Sequence, residues 1–205
     1  MPRRPYCPFR TILRGAQSPQ SSRTGLYAPG KLPVVVTEMT CEDVIEVLAA
    51  LDAGGIDYWV DGGWGIDALV GEQTRIHHDL DLGVSRDDVA RVEALLPQFR
   101  RESEEASFYT DERGRAVDLM LVERSQAGQF EQQLPEGGRL RYAESETHAS
   151  GCIGGRLVRC ATVALQTKHH NRPNATDQDR TDVEVLEQRE KRTRSSSEAC
   201  TGGRR

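Results

Sequence analysis

Several things are scarce in this 205-residue chain. No long apolar run is evident: near the N-terminus the longest aliphatic stretch is Val34-Val35-Val36. A membrane-crossing helix needs roughly 20 such residues, so no membrane partner is expected. The five cysteines (Cys7, Cys41, Cys152, Cys160, Cys200) are odd in number and scattered. They have neither metal-ligand spacing nor the pattern of a disulfide framework, so reduced thiols of a cytoplasmic protein are expected. Acidic residues are missing altogether from residues 1–37, which carry six basic ones. A basic excess is missing from the body: +6 on residues 1–37 and +4 on residues 189–205, within a net −5, leave −15 on residues 38–188. Non-specific nucleic-acid binding needs a basic face, so nucleic acid is not an expected partner. An acidic body favours a cationic small molecule instead.

The length suits one domain with short appendages, and 37% hydrophobic against 29% charged residues marks a globular, somewhat polar class. Residues 1–38 are interrupted by Pro2, Pro5, Pro8, Pro19, Pro29 and Pro33. Prolines at that density leave no amphipathic helix, so a disordered extension is expected rather than a targeting arm, and Met39 offers an alternative start. The domain is expected over residues 39–191. Residues 192–205, rich in Ser, Gly and Arg, read as a disordered tail.

Within the body, Thr40 and Asp43 form a capping-box pattern, and Val44, Ile45, Leu48 and Leu51 follow at helical spacing up to Gly54-Gly55. Ile56, Tyr58 and Val60 alternate as a strand, and a short helix is expected from Gly65 to Val70. Leu80, Leu82 and Val84 alternate in a second strand, and Val117, Leu119 and Leu121 in a third beyond the turn Asp111-Glu112-Arg113-Gly114. A helix with Val89, Val92, Leu95 and Leu96 inward is expected between them. A hairpin at Gly154-Gly155 and helices over 163–168 and 179–189 complete the body. Mixed helices and strands of this kind indicate an α/β (α+β) domain.

Chemistry concentrates on the polar phase of these strands. Side chains alternate along a strand, so Asp79 and Asp81 share the face opposite Leu80 and Leu82. Two carboxylates so placed can share a hard cation such as Mg²⁺. Asp118 occupies the polar phase of its own strand; if the strands are neighbours, three carboxylates converge, and a divalent ion would offset their repulsion. Gly62-Gly63, between strand and helix, would let the backbone approach a phosphate. Trp64 could stack on a base, although a core role is the commoner one. Arg75 and His77 are candidates for phosphate contact. His169-His170 carry no metal expectation, because adjacent helical side chains point apart.

The run Trp59-Val60-Asp61-Gly62-Gly63-Trp64-Gly65-Ile66-Asp67, then Gly71, then Thr74-Arg75-Ile76-His77-His78-Asp79-Leu80-Asp81, closely resembles the lincosamide and aminoglycoside 2″-nucleotidyltransferases. The resemblance extends through Val117-Asp118-Leu119, Glu136-Gly137-Gly138 and Ile153-Gly154-Gly155-Arg156 to Gln166, His170, Asp179 and Asp182. It implies a nucleotidyltransferase-like mixed β-sheet flanked by helices. It also implies Mg²⁺ at Asp79 and Asp81, with Asp118 as base or further ligand, and phosphates at Gly62 and Gly63. The donor would be ATP or another nucleoside triphosphate, and the acceptor a small hydroxylated molecule. The chain departs from the lincosamide enzymes at Met120-Leu121, where they have His-Pro, and at Asn171-Arg172-Pro173, where a Gly-Tyr pair is usual. A non-catalytic nucleotide-binding or toxin–antitoxin protein on the same fold is the competing reading.

Overall fold

The computed structural model describes residues 10–11, 37–101, 103, 106–134, 137–172 and 174–201, with 10–11 and 193–201 as backbone only. The expected N-terminal extension therefore lies largely outside the described residues, as do Glu136, Pro173 and the last four positions of the tail.

In chain order the elements are β1 (Arg10–Thr11), α1 (Cys41–Ala53), β2 (Tyr58–Val60), α2 (Gly62–Val70), β3 (Glu72–Gln73), β4 (Asp79–Ser85) and α3 (Val89–Leu95). There follow β5 (Arg100–Arg101), β6 (Phe108–Thr110), β7 (Ala116–Arg124), β8 (Gln129–Gln133) and β9 (Arg139–Ala143). The C-terminal part is β10 (Ala149–Ile153), β11 (Arg156–Cys160), α4 (Val163–His170) and α5 (Asp177–Thr201). Nine strands form one mixed sheet in the order β10-β11-β2-β4-β7-β6-β5, and β8 and β9 branch from β7. β1 pairs separately with β3. No helix among the described residues is long and apolar enough to cross a membrane.

Local sequence accounts for most of these elements. The Thr40–Asp43 capping box starts α1, and Gly54 ends it. Its buried stripe of Val44, Val47, Leu48 and Leu51 packs in one core with Leu80, Leu82, Val84, Val117 and Leu119 from the sheet. A second cluster of Trp59, Val122, Phe130, Tyr142, Ala161 and Leu165 forms separately. Val122 has the same strand phase as Asp118, so this cluster covers part of the polar face and leaves the carboxylate end of β4 and β7 beside it.

Four expectations are corrected. Order starts before Thr40: the Thr37 amide donates to the Gly114 carbonyl, and Met39 is fully buried. The helix that follows Val60 starts at Gly62 rather than Gly65, because Asp61 caps it. Residues 193–201, read as tail, continue α5 as helical backbone. Cys152 is disulfide-bonded, so the thiols are not all reduced, whereas Cys41 and Cys160 are free.

Candidate active site

Along β4 the burial alternates as its sequence dictates: Asp79 and Asp81 are half-buried, while Leu80 and Leu82 are fully buried. β7 lies alongside in parallel, and the register sets Asp81 opposite Asp118 and Asp79 opposite Ala116. On the far side of β7, Phe108 of β6 is paired with Asp118. Directly paired residues share a sheet face, so Phe108, Asp118 and Asp81 form a row across three strands. Asp118 Oδ1 accepts a hydrogen bond from Ser107 Oγ at 2.9 Å. The apolar recess lined by Val92, Leu96, Phe99, Tyr109, Val117 and Leu119 is reached from the opposite face of β7 and does not belong to this site.

Among the described residues, no three His, Cys, Asp or Glu side chains already close on one point to hold a metal. The donor set is instead a pair of carboxylates on one strand with a third beside it. That all-oxygen set fits Mg²⁺, which commonly takes one or two carboxylates and completes its shell with substrate phosphates and water.

The glycine corner adjoins this row. Asp61 caps α2 by accepting from the Gly62 amide at 2.8 Å, and its own amide donates to the Asp81 carbonyl at 3.0 Å. Gly62 has φ +55°, and a Cβ there would lie 1.9 Å from Asp81 Oδ2. A glycine is therefore required for the start of α2 to rest against that carboxylate. A Cβ on Gly63 would lie 2.4 Å from His77 Nδ1 and 2.7 Å from Arg75 Nη2. The first amides of α2, free of helical partners by geometry, thus open beside Asp81.

Of the three other candidates, Trp64 takes the core role, and His77 and Arg75 each hold an acidic partner. Trp64 is 1% exposed and belongs to the core, its ring 4.7 Å from that of His77; burial on α2 corrects the base-stacking role. His77 is also buried, bound through Nε2 to the buried Asp67, and its ring cannot reach a phosphate in this arrangement. Arg75 is part-exposed and ion-paired with Asp182 of α5 at 3.0 Å. Burial opposes its charge, but the Asp182 carboxylate outweighs that and raises its pKa. His169 and His170 do diverge, the first to Asp61 and the second to Asp179.

Sequence reasoning passed over Asp61 and Asp67 as functional supports. Asp61 is fully buried and accepts from Trp59 Nε1 at 3.2 Å as well as from Gly62. Burial disfavours its charge, yet the facing His169 and these hydrogen bonds hold its carboxyl below the usual carboxylate range. Its place just before a Gly-Gly helix start was a legible N-cap signal. Asp67 accepts from the Thr74 amide and hydroxyl, a loop contact with no local sequence signature.

The family model for aminoglycoside-2″-adenylyltransferases matches residues 43–186, a span that contains the carboxylate row and the glycine corner. The chain belongs to that family. A lincosamide resistance protein of Staphylococcus haemolyticus is 25% identical over 154 residues, 72% of this chain and 94% of that protein. A 2″-aminoglycoside nucleotidyltransferase of Klebsiella pneumoniae is 32% identical over 117 residues, 56% of this chain and 63% of that relative. The latter match thus spans less than two thirds of the aminoglycoside enzyme. The crystal structure of the lincosamide antibiotic adenylyltransferase LnuA, lincomycin-bound, has a TM-score of 0.62 at 22% identity, covering 74% of this chain and 98% of that one. The mixed sheet of this adenylyltransferase-family chain is thus the nucleotidyltransferase fold.

Proposed function

We propose that this adenylyltransferase-family protein transfers a nucleoside monophosphate from ATP, or another nucleoside triphosphate, to a hydroxyl of a small lincosamide or aminoglycoside antibiotic. The observation that carries the reading is Asp81 held in register with Asp118 and in contact with the glycine corner. Asp79 and Asp81 would hold Mg²⁺, which would supply positive charge for the triphosphate and for the charge that develops in the transfer. The Gly63 amide faces the phosphates, the Gly62 amide being held by Asp61, and the Arg75 guanidinium, beside Gly63 and paired with Asp182, adds positive charge there. Asp118 accepts the proton of the acceptor hydroxyl as its oxygen bonds to the α-phosphorus. The bond to the β-phosphate oxygen breaks, and pyrophosphate leaves. The −15 charge of residues 38–188 favours acceptors that carry amines. A triphosphate donor implies work in the cytoplasm.

The test is pyrophosphate release from each of the four nucleoside triphosphates with Mg²⁺, across a panel of lincosamides and aminoglycosides. Asp79→Asn and Asp81→Asn should each abolish release with the melting temperature kept, because a neutral amide is a poor ligand for a hard cation. Near-normal turnover of either variant with any divalent ion refutes the site.

A further inference from the structure

Thr162 caps the eight-residue α4, its hydroxyl accepting from the Leu165 amide, and the helix buries Leu165, Gln166 and His169. Gln166 and His169 are three residues apart, hence neighbours on one helix face. Both are buried, at 0% and 8% exposure. Polar side chains reach that depth when partners replace their lost water. One atom of each finds such a partner in the two residues that open α2, while Gln166 Oε1 and His169 Nε2 have none among the described residues. His169 Nδ1 is 3.1 Å from Asp61 Oδ1, and Gln166 Nε2 donates across a long 3.4 Å to the Gly62 carbonyl. The Gln166 amide also occupies the space beside Gly65, where a Cβ would lie 2.3 Å from Nε2. α4 therefore grips Asp61 and Gly62, while the Asp81 carboxylate rests against the same glycine.

We propose that Gln166 and His169 are positioning residues: α4 clamps the glycine corner, and the corner in turn fixes the aim of Asp81 at the metal-bound nucleotide. The proposal rests on the nucleotidyltransferase reading of that corner. It explains why two polar residues are buried on a helix that carries none of the candidate carboxylates. Gln166 is the side chain that can be tested most sharply, because it acts as a donor to a carbonyl. An ionised carboxylate in its place has no proton to give and repels that carbonyl; a protonated one regains an O–H donor.

The experiment follows hydrogen exchange at the Gly62 and Gly65 amides, both bonded to Asp61, alongside steady-state kinetics. Gln166→Glu at pH 8 should speed exchange and raise the nucleotide KM, each by about tenfold, the size of one lost hydrogen bond. The acceptor KM should not change. Relative to wild type, both defects should shrink as pH falls and the introduced carboxyl takes up a proton. Gln166→Leu should show the same losses with no recovery at low pH. His169→Asn, which keeps a donor for Asp61, should stay near wild type where His169→Leu does not. If His169→Leu fails to fold, the Gln166 pair still decides. Unchanged exchange in both Gln166 variants, or pH-independent defects of equal size, overturns the clamp. A wild-type protein that transfers nucleotide to no acceptor defeats the nucleotidyltransferase reading instead, and the exchange arm then judges the clamp by itself.

Discussion

Gly62→Ala perturbs the place where α2 and the carboxylate row meet, and the structure sets the size of the effect. The backbone there has φ +55°, a left-handed conformation that costs an L-residue about 1–2 kcal/mol. For a domain of this length each kcal/mol moves the midpoint by about 2–4 °C, so a fall of roughly 2–8 °C is expected from the backbone. The added methyl brings a second cost. It would sit 1.9 Å from Asp81 Oδ2 and 2.6 Å from Asp81 Cγ, so Oδ2 must retreat by about 1.5 Å to reach an ordinary contact of 3.4 Å. A displacement of about 1 Å at a reacting centre can cost about 10²-fold in rate. The assay pairs thermal unfolding with turnover, in wild-type and Asp81→Ala backgrounds. Removing the carboxylate leaves only the 3.0 Å approach of the Asp81 Cβ, so the stability loss from Gly62→Ala should shrink towards its backbone part. Groups in contact usually show coupling of about 0.5–3 kcal/mol in such a cycle. A Gly62→Ala protein with unchanged midpoint and turnover, or strictly additive losses in the double variant, would refute the contact and the reasoning built on it.

Asp118→Ala should slow transfer by ~10²–10⁴-fold, the usual worth of a general base, with little change in affinity for the Mg²⁺–nucleotide; an equal loss of affinity would show a metal ligand instead. Acid should unfold the protein through Asp43, Asp61 and Asp179. In each, burial opposes ionisation, but hydrogen bonds and the facing Arg115, His169 or His170 outweigh it and depress the folded pKa. Their stabilisation is complete above the ordinary carboxylate range near ~4 and is lost as pH falls through the depressed values. Urea midpoints measured from pH 7 to 2 should therefore drop on the acid side, and a flat profile would contradict these partners. Burial pushes the Cys160 thiol up to about 12, so it should resist alkylation in the folded protein; rapid labelling under native conditions would show that β11 is open to reagent.

The carboxylate row was legible because its signals are local. Alternation fixed the shared phase of Asp79 and Asp81, and an apolar strand pattern fixed that of Asp118. Only the neighbour relation between β4 and β7 had to come from the fold, and the register Asp81–Asp118 supplied it. The capping box and the Gly154-Gly155 hairpin were readable for the same reason. The burial of His77 against Asp67 was not legible, because its surroundings are set by α2 packing on a later segment, which no spacing rule records. Gly62 read as lying between strand and helix, yet it lies inside the first turn of α2; its contact with Asp81 is with a residue 19 positions later in the chain. The pairs Asp61–His169 and Arg75–Asp182 join positions more than a hundred residues apart, beyond any local pattern.

The branch at β7 has a consequence for how the molecule keeps to itself. β6 pairs with β7 through Asp118, and β8 takes over from Val122, so the sheet has three ends where an unbranched one has two. Each end offers backbone donors and acceptors to any passing strand. Two of those ends are β5, which is Arg100-Arg101, and β9, which places Arg139 and Arg141 on either side of Leu140. In a body of strongly acidic composition, arginines thus stand at the strands where a second copy could add itself edge to edge. Arg139 and Arg141 are each ion-paired with Glu131 of β8, and such bulky charged side chains are of the kind that blunts an edge. Replacing Arg139 and Arg141 with valine would leave the carboxylate row untouched and turn β9 into a template for self-association.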